Sequence, residues 1–149
     1  MPNCNTLLTC AVATTTYLSM DRTVQYISDL PPHPSVSVFR LNFPTTRASV
    51  LKNFRVHVDD LSSKLQAKQR EIGDGTKLKI IALIDSIVSN PGVHLPWKEM
   101  VAICRERGIL TVVDAAHSLG QESNINLKEA DPDFWISVWL SLCSCTKGC

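Results

Sequence analysis

The chain has 149 residues, of which 44% are hydrophobic, 19% charged and 6% aromatic, and its 15 Lys and Arg nearly balance 14 Asp and Glu. That length suits one domain able to bury about 70% of its extended-chain surface, and the composition is that of an ordinary globular protein rather than a disordered chain. A net charge of +1 supplies no broad basic field for nucleic acid or an anionic membrane surface, so specificity has to reside in a local site.

The N-terminal run Leu7 to Ala13 (LLTCAVA) is too short to span a bilayer, and no Lys or Arg precedes it to make a leader sequence. With Thr14, Thr15, Thr16 and Tyr17 behind it, it reads as a buried strand entering a turn. From Tyr17 to Leu30 the apolar residues Leu18, Val24, Ile27 and Leu30 form a partial helical stripe that stops before Pro31-Pro32. Val36 to Leu41 reads as a second strand. Ser49 then precedes the clearest amphipathic helix, with Val50, Phe54, Val58, Leu61 and Leu65 on one face and Lys52, Arg55, Asp59, Asp60, Lys64 and Lys68 on the other. It runs down to Gly73-Asp74-Gly75, a turn that lacks the context of a dinucleotide-binding loop.

The second half alternates more regularly. Leu78 to Ile84 (LKIIALI) is a nearly continuous apolar run, the pattern of a strand covered on both faces, and Asp85 closes it. After a loop over Ser86 to Leu95, Pro96 suits the first position of a helix whose core side holds Trp97, Met100, Val101, Ile103 and Cys104, with Gly108 as its stop. Ile109 to Val113 is a third inner strand, closed by Asp114. A turn near Leu127 to Ala130 precedes a further strand over Asp133 to Val138. Strands alternating with helices predict an α/β fold with a mostly parallel sheet flanked by helices.

In such sheets ligands bind beyond the carboxyl ends of the strands. The residues there are Asp85, Ser86, Ser89, Asn90, Asp114, His117 and Ser137. A carboxylate at the end of a buried strand can pair with a cationic ring nitrogen or a metal, and an imidazole three residues later can reach the same place. Locally, Asp114 also reads as a cap of the next turn and His117 as an ordinary histidine. His33, His57 and His94 read as solvated. The six cysteines (Cys4, Cys10, Cys104, Cys143, Cys145, Cys149) form no even disulfide framework, so reduced thiols and a cytoplasmic location are expected. The spacing of Cys143, Cys145 and Cys149 is not that of a usual zinc site, and no metal is expected.

Several landmarks occur together and in order: Asp85-Ser86 leading to Pro91-Gly92-Val93, a helix opening with Pro96-Trp97, the strand end Val113-Asp114-Ala115-Ala116-His117, and Asp131-Pro132-Asp133-Phe134. Together they resemble the class V aminotransferase family of pyridoxal 5'-phosphate (PLP) enzymes, in its isopenicillin-N-epimerase-like and cysteine-desulfurase-like branch. The resemblance is strong from Ile80 to Ser137 and weaker but colinear from Thr14. It implies part of the large domain of the PLP-dependent transferase fold type I, and full-length relatives that are homodimers acting on amino acids or sulfur-containing amino-acid derivatives. It further implies that Asp114 pairs with the pyridine nitrogen of PLP and that His117 contacts the cofactor's phenolic oxygen. Ser89 or Asn90 would supply another polar contact there, and Ser137 lies on the strand that approaches the cofactor.

The departures carry their own expectation. Relatives continue the Asp-Pro-Asp-Phe strand with a Ser-Asn-Cys-His-Lys-Trp type sequence, whose lysine forms the Schiff base with PLP. Laid without gaps, that lysine position is Ser141, which cannot do so, and Lys147 falls six residues further on. Residues 1–149 are therefore expected to be a partial PLP-binding domain without its N-terminal phosphate loop and without the small C-terminal domain. A chain of this kind is expected to be inactive alone, or to serve as a non-catalytic binding or dimerising piece.

Overall fold

A computed structural model describes residues 5–73 and 76–138 of the chain. Strand β1 (Asn5–Ala13) leads through helix α1 (Leu18–Asp29) to β2 (Ser35–Phe39), and the long helix α2 (Arg47–Ile72) returns the chain to β3 (Thr76–Asp85). A small antiparallel ladder of β4 (Ile87–Val88) and β5 (Val93–His94) follows, then α3 (Trp97–Arg105), β6 (Leu110–Asp114), α4 (Leu127–Ala130) and β7 (Phe134–Ile136). The main sheet has five strands in the order β2-β1-β3-β6-β7, and every pair in it is parallel. The expected parallel α/β sheet is thus present.

The order explains the layers. The chain moves one way from β1 to β2 and the other way from β2 to β3, β6 and β7. Right-handed crossovers therefore put α1 on one face and α2, α3 and α4 on the other. The core lies on that second face, where Val50, Phe54, Val58 and Leu61 of α2 meet Trp97, Met100, Val101, Ile103 and Cys104 of α3 over Ile80, Ala82, Ile84 and Val113 of the sheet. Phe54 packs edge-on against Phe39 with ring centroids 5.5 Å apart. Helix α1 has no buried residue and leaves Leu18, Tyr26 and Ile27 exposed. Arg107 clasps the two core-side helices from the solvent side: its Nε lies 2.5 Å from Asp59 Oδ1 on α2, and Arg55 reaches Glu106 at 3.1 Å.

Several boundaries differ from the sequence expectation for local reasons. Helix α2 starts at Arg47 because Thr46, not Ser49, is its cap, with the Thr46 side chain accepting the Ser49 N–H. Pro96 is the N-cap of α3 rather than its first residue. The loop after β3 holds the unforeseen ladder of β4 and β5, closed by the Leu95 N–H donating to the Ser86 carbonyl at 2.9 Å. Strand β3 is covered on both faces only in its second half, since its first residues alternate in exposure. His57 is half-buried, with its ring 5.7 Å from that of Phe39, rather than solvated on the polar edge of α2. Ser141, Lys147, Cys4 and the cysteines at 143, 145 and 149 lie outside the described residues.

Because Phe54 is buried between α2 and the sheet, Phe54→Ala is expected to lower unfolding free energy by about 3–5 kcal/mol, the usual cost of an aromatic cavity. Urea unfolding of the two chains measures it, and a loss below about 1 kcal/mol would contradict this packing.

Candidate functional site

Parallel pairing brings all the carboxyl ends of the strands to one edge. The register sets Ala13 opposite Phe39, Asp85 opposite Asp114, and Asp114 opposite Ile136. A cavity of about 370 Å³ opens beyond these ends. Its polar wall is Tyr17, Asp85, Ser89, Asp114 and His117, and its apolar wall is Ile87, Ala116 and Val138. Four of the strand-end residues singled out from the sequence, Asp85, Ser89, Asp114 and His117, meet here. Asn90 is exposed in the adjoining turn and is not part of the lining, and Ser137 is directed elsewhere, its hydroxyl donating to the Ala115 carbonyl at 3.2 Å.

Asp114 is held in place through both its side chain and its backbone. Its Oδ1 accepts the Ala116 N–H at 3.0 Å, so it does cap the turn that follows β6. Its carbonyl accepts the Ser86 N–H at 2.9 Å and the Ser86 hydroxyl at 3.1 Å. The Ser86 hydroxyl in turn contacts that of Ser118, and both serines are fully buried. The Ala115 N–H donates to Ile136 at 2.7 Å and the Ser118 N–H to Ala115 at 3.0 Å. These bonds fix the turn from which the exposed His117 projects. Gly92, at φ 79°, belongs to the reversal between β4 and β5 that also carries Ser89, a conformation that favours glycine.

Asp85 is the second acid of the site. It is only 4% exposed, and its Oδ2 has no hydrogen-bond partner. Burial, and then the negative charge of Asp114, push its carboxyl up to about 7. A buried carboxyl of raised proton affinity, beside a second aspartate, an aromatic phenol and an imidazole, can receive a cationic nitrogen heterocycle. Among the described residues no cluster could hold a metal ion.

Sequence reasoning overlooked Tyr17, Ser118 and the clasp between β6 and β7. Tyr17 follows the end of β1, so the same strand-end rule that found Asp114 applies to it. In the clasp, Asp133 Oδ2 accepts the Thr111 N–H at 2.8 Å and the Thr111 hydroxyl at 3.0 Å, while the Asp133 N–H donates back to Thr111 Oγ1 at 3.1 Å. No periodicity signals a bond between residues 22 positions apart.

No protein-family model matches the chain. In sequence, it is 30% identical over 123 residues to the L-cysteine desulfhydrase-like protein lolT1 of Epichloe uncinata, a match covering 83% of this chain and 24% of that protein. It is 36% identical over 100 residues to an L-cysteine desulfhydrase of Arabidopsis thaliana, covering 66% of this chain and 19% of the relative. The chain thus spans about a quarter or less of the length of these relatives. In structure, it superposes on a solved structure of SPT with PLP with a TM-score of 0.60 at 16% identity, covering 93% of this chain and 30% of that one. The chain carries the PLP-dependent transferase fold of type I. Within that class it is a relative of the cysteine desulfhydrase-like proteins, on the class V aminotransferase side of the fold.

The raised Asp85 carboxyl has a consequence for stability. The native group holds its proton up to about 7, whereas an unfolded aspartate releases it near 3.8, so between these values the native state binds more protons. Its contribution is complete below about pH 4 and is lost as pH rises toward about 7, by up to about 4 kcal/mol. His57, lowered by burial, slopes the opposite way just below 6.5. Asp59 and Glu106, held low by hydrogen bonds from Arg107 and Arg55 respectively, lose their contributions only in more acid solution. The difference between the wild type and Asp85→Asn isolates the Asp85 part: urea unfolding across this range is expected to show the wild type losing ground to the variant as pH rises. A constant difference would sink the assignment.

Proposed function

We propose that the chain is part of the PLP-binding domain of an enzyme that acts on amino acids or sulfur-containing amino-acid derivatives, as a desulfurase, carbon-sulfur lyase, aminotransferase or epimerase. The observation that carries this reading is Asp114 at the carboxyl end of β6, anchored on the wall of the strand-end cavity, in a chain related to cysteine desulfhydrases. The described lining residues fit the ring of PLP. A cavity of about 370 Å³ is within the range of small-molecule sites, and an orphaned carboxyl oxygen on Asp85 suits a cationic ring nitrogen.

When bound, PLP supplies a ring that draws electrons from the substrate carbon under attack. The carboxylate of Asp114 would hold the ring nitrogen in its protonated form, because an adjacent negative charge stabilises that cation. The Ala116 N–H and the Ser86 bonds keep the carboxylate aimed, so little reorganisation is needed. His117 would donate to the ring's phenolic oxygen, together with Ser89 on the same cavity wall or Asn90 in the adjoining turn. Ile87, Ala116 and Val138 would supply the apolar part of the cavity wall for the ring. Ser137 supports the turn through Ala115 instead of touching the cofactor.

By the resemblance, Ser141 stands where relatives use a lysine amine. The chain is therefore proposed to bind PLP without a covalent bond and to turn over no amino acid by itself. The exposed Tyr17, Leu18, Tyr26, Ile27 and Leu30 support a protein partner at α1, for which a second copy is the expected occupant. No described helix is long and apolar enough to cross a membrane, and a cytoplasmic location is proposed from the cysteine pattern.

Titration of the purified chain with PLP, followed by equilibrium dialysis and visible absorbance, tests this. Saturable binding is expected, weakened about ten- to a hundredfold in Asp114→Ala, the scale of one charge-assisted hydrogen bond. Borohydride treatment is expected to leave the PLP dialysable. Absence of saturable binding, or equal affinity in Asp114→Ala, would overturn the reading, and a reduced adduct on a single lysine would overturn its non-covalent part.

A further inference from the structure

Asp85 is the one buried carboxylate among the described residues. Beneath it the surroundings are apolar, with Ala13, Leu83, Leu95 and Met100 in the same wall. Above it the cavity opens, and directly across the β3–β6 ladder stands Asp114. The titratable groups that share the cavity with it are Tyr17, Asp114 and His117, and none of the described lining residues is Lys or Arg. Its Oδ2 is without a hydrogen-bond partner. A carboxyl so placed has nothing fixed to balance a full negative charge.

Resting on the reading that the PLP ring nitrogen settles on Asp114, we propose that Asp85 is a proton-holding positioning residue. Its carboxyl keeps its proton while Asp114 is the only charge beside it, and gives that proton up when a cationic ring nitrogen enters the cavity. Asp85 is buried and stands across the ladder from a second aspartate, so both burial and like-charge repulsion oppose its ionisation in the free protein. The incoming cation removes that constraint. The Asp85 O–H bond then breaks, its electron pair stays on the carboxylate, and the proton leaves through the cavity mouth to buffer; nothing is oxidised or reduced. By reciprocity, an ionised Asp85 holds the cation more tightly. The elevated proton affinity of Asp85, near neutrality, is what lets this exchange operate at ordinary pH. With the ring cation and one proton the carboxyl pair is neutral overall; with that proton lost the site carries one net negative charge, as it does before loading, and cofactor loading becomes linked to pH.

Calorimetric titration of the 149-residue chain with PLP near pH 6.5, in two buffers of different ionisation enthalpy, counts the protons released. The wild type is expected to release more protons than Asp85→Asn, and its affinity is expected to rise at least about fivefold more than the variant's as pH climbs through 7. Asp85→Leu, of similar bulk and without a proton, should behave like Asp85→Asn. In the wild type alone, the infrared band of a protonated carboxyl is expected to vanish at saturating PLP. Equal proton counts in wild type and variants, or persistence of that band, would overturn the inference while leaving PLP binding intact. Failure of the wild type to bind PLP at all would overturn both this inference and the proposed function.

Discussion

The parallel pairing of β3 with β6 is the constraint on which the rest of the molecule depends. Its register runs from Ile81 opposite Leu110 to Asp85 opposite Asp114, so both strands finish on an aspartate at the same level. A slip of one residue would turn every side chain on one strand to the other face and separate the two acids. Strand β6 is pinned on its other side by the Thr111–Asp133 clasp to β7, and from above by the Ser86 and Ser118 hydroxyls. The turn that carries His117 inherits its position from these bonds.

Putting two carboxyls together at the edge of an apolar core works against stability. The sheet accepts it because its other side is well packed: α2 and α3 bury a continuous apolar face against β3 and β6, and Arg107 ties the two helices together from outside. The carboxylate partners in those ion pairs are exposed, so each pair contributes little individually. Hydrophobic burial of residues such as Phe54, Val58, Trp97 and Val101 carries most of the stabilisation. A site that departs from the rule of burying only apolar or paired groups, on a scaffold that otherwise follows it, is the usual sign of a functional constraint.

The two faces of the sheet are unlike. On the α2 side the apolar residues are covered, whereas Val36, Val38, Phe134 and Ile136 are exposed, as is most of α1. The relatives are several times longer than the matched region.

Much of the architecture was legible because its signals are local. Val50, Phe54, Val58 and Leu61 repeat with the period of a helix face, and all four are buried. The runs LKIIALI and ILTVV are too apolar for any place but the middle of a sheet, and β3 and β6 are neighbours there. The ladder between Ile87–Val88 and Val93–His94 was not legible, since two-residue strands have no period to detect. The sequence by itself determined the α/β alternation, the resemblance to the class V aminotransferase family, and the candidacy of Asp114 and His117, because strand ends and motif order are properties of the linear chain. Only the tertiary structure decided that Ser89 rather than Asn90 lines the cavity, that Ser137 is spent on a backbone carbonyl, and that Asp85 is buried opposite Asp114. Each of those depends on which strands lie side by side and in what register, and that is settled by packing between residues far apart in the chain.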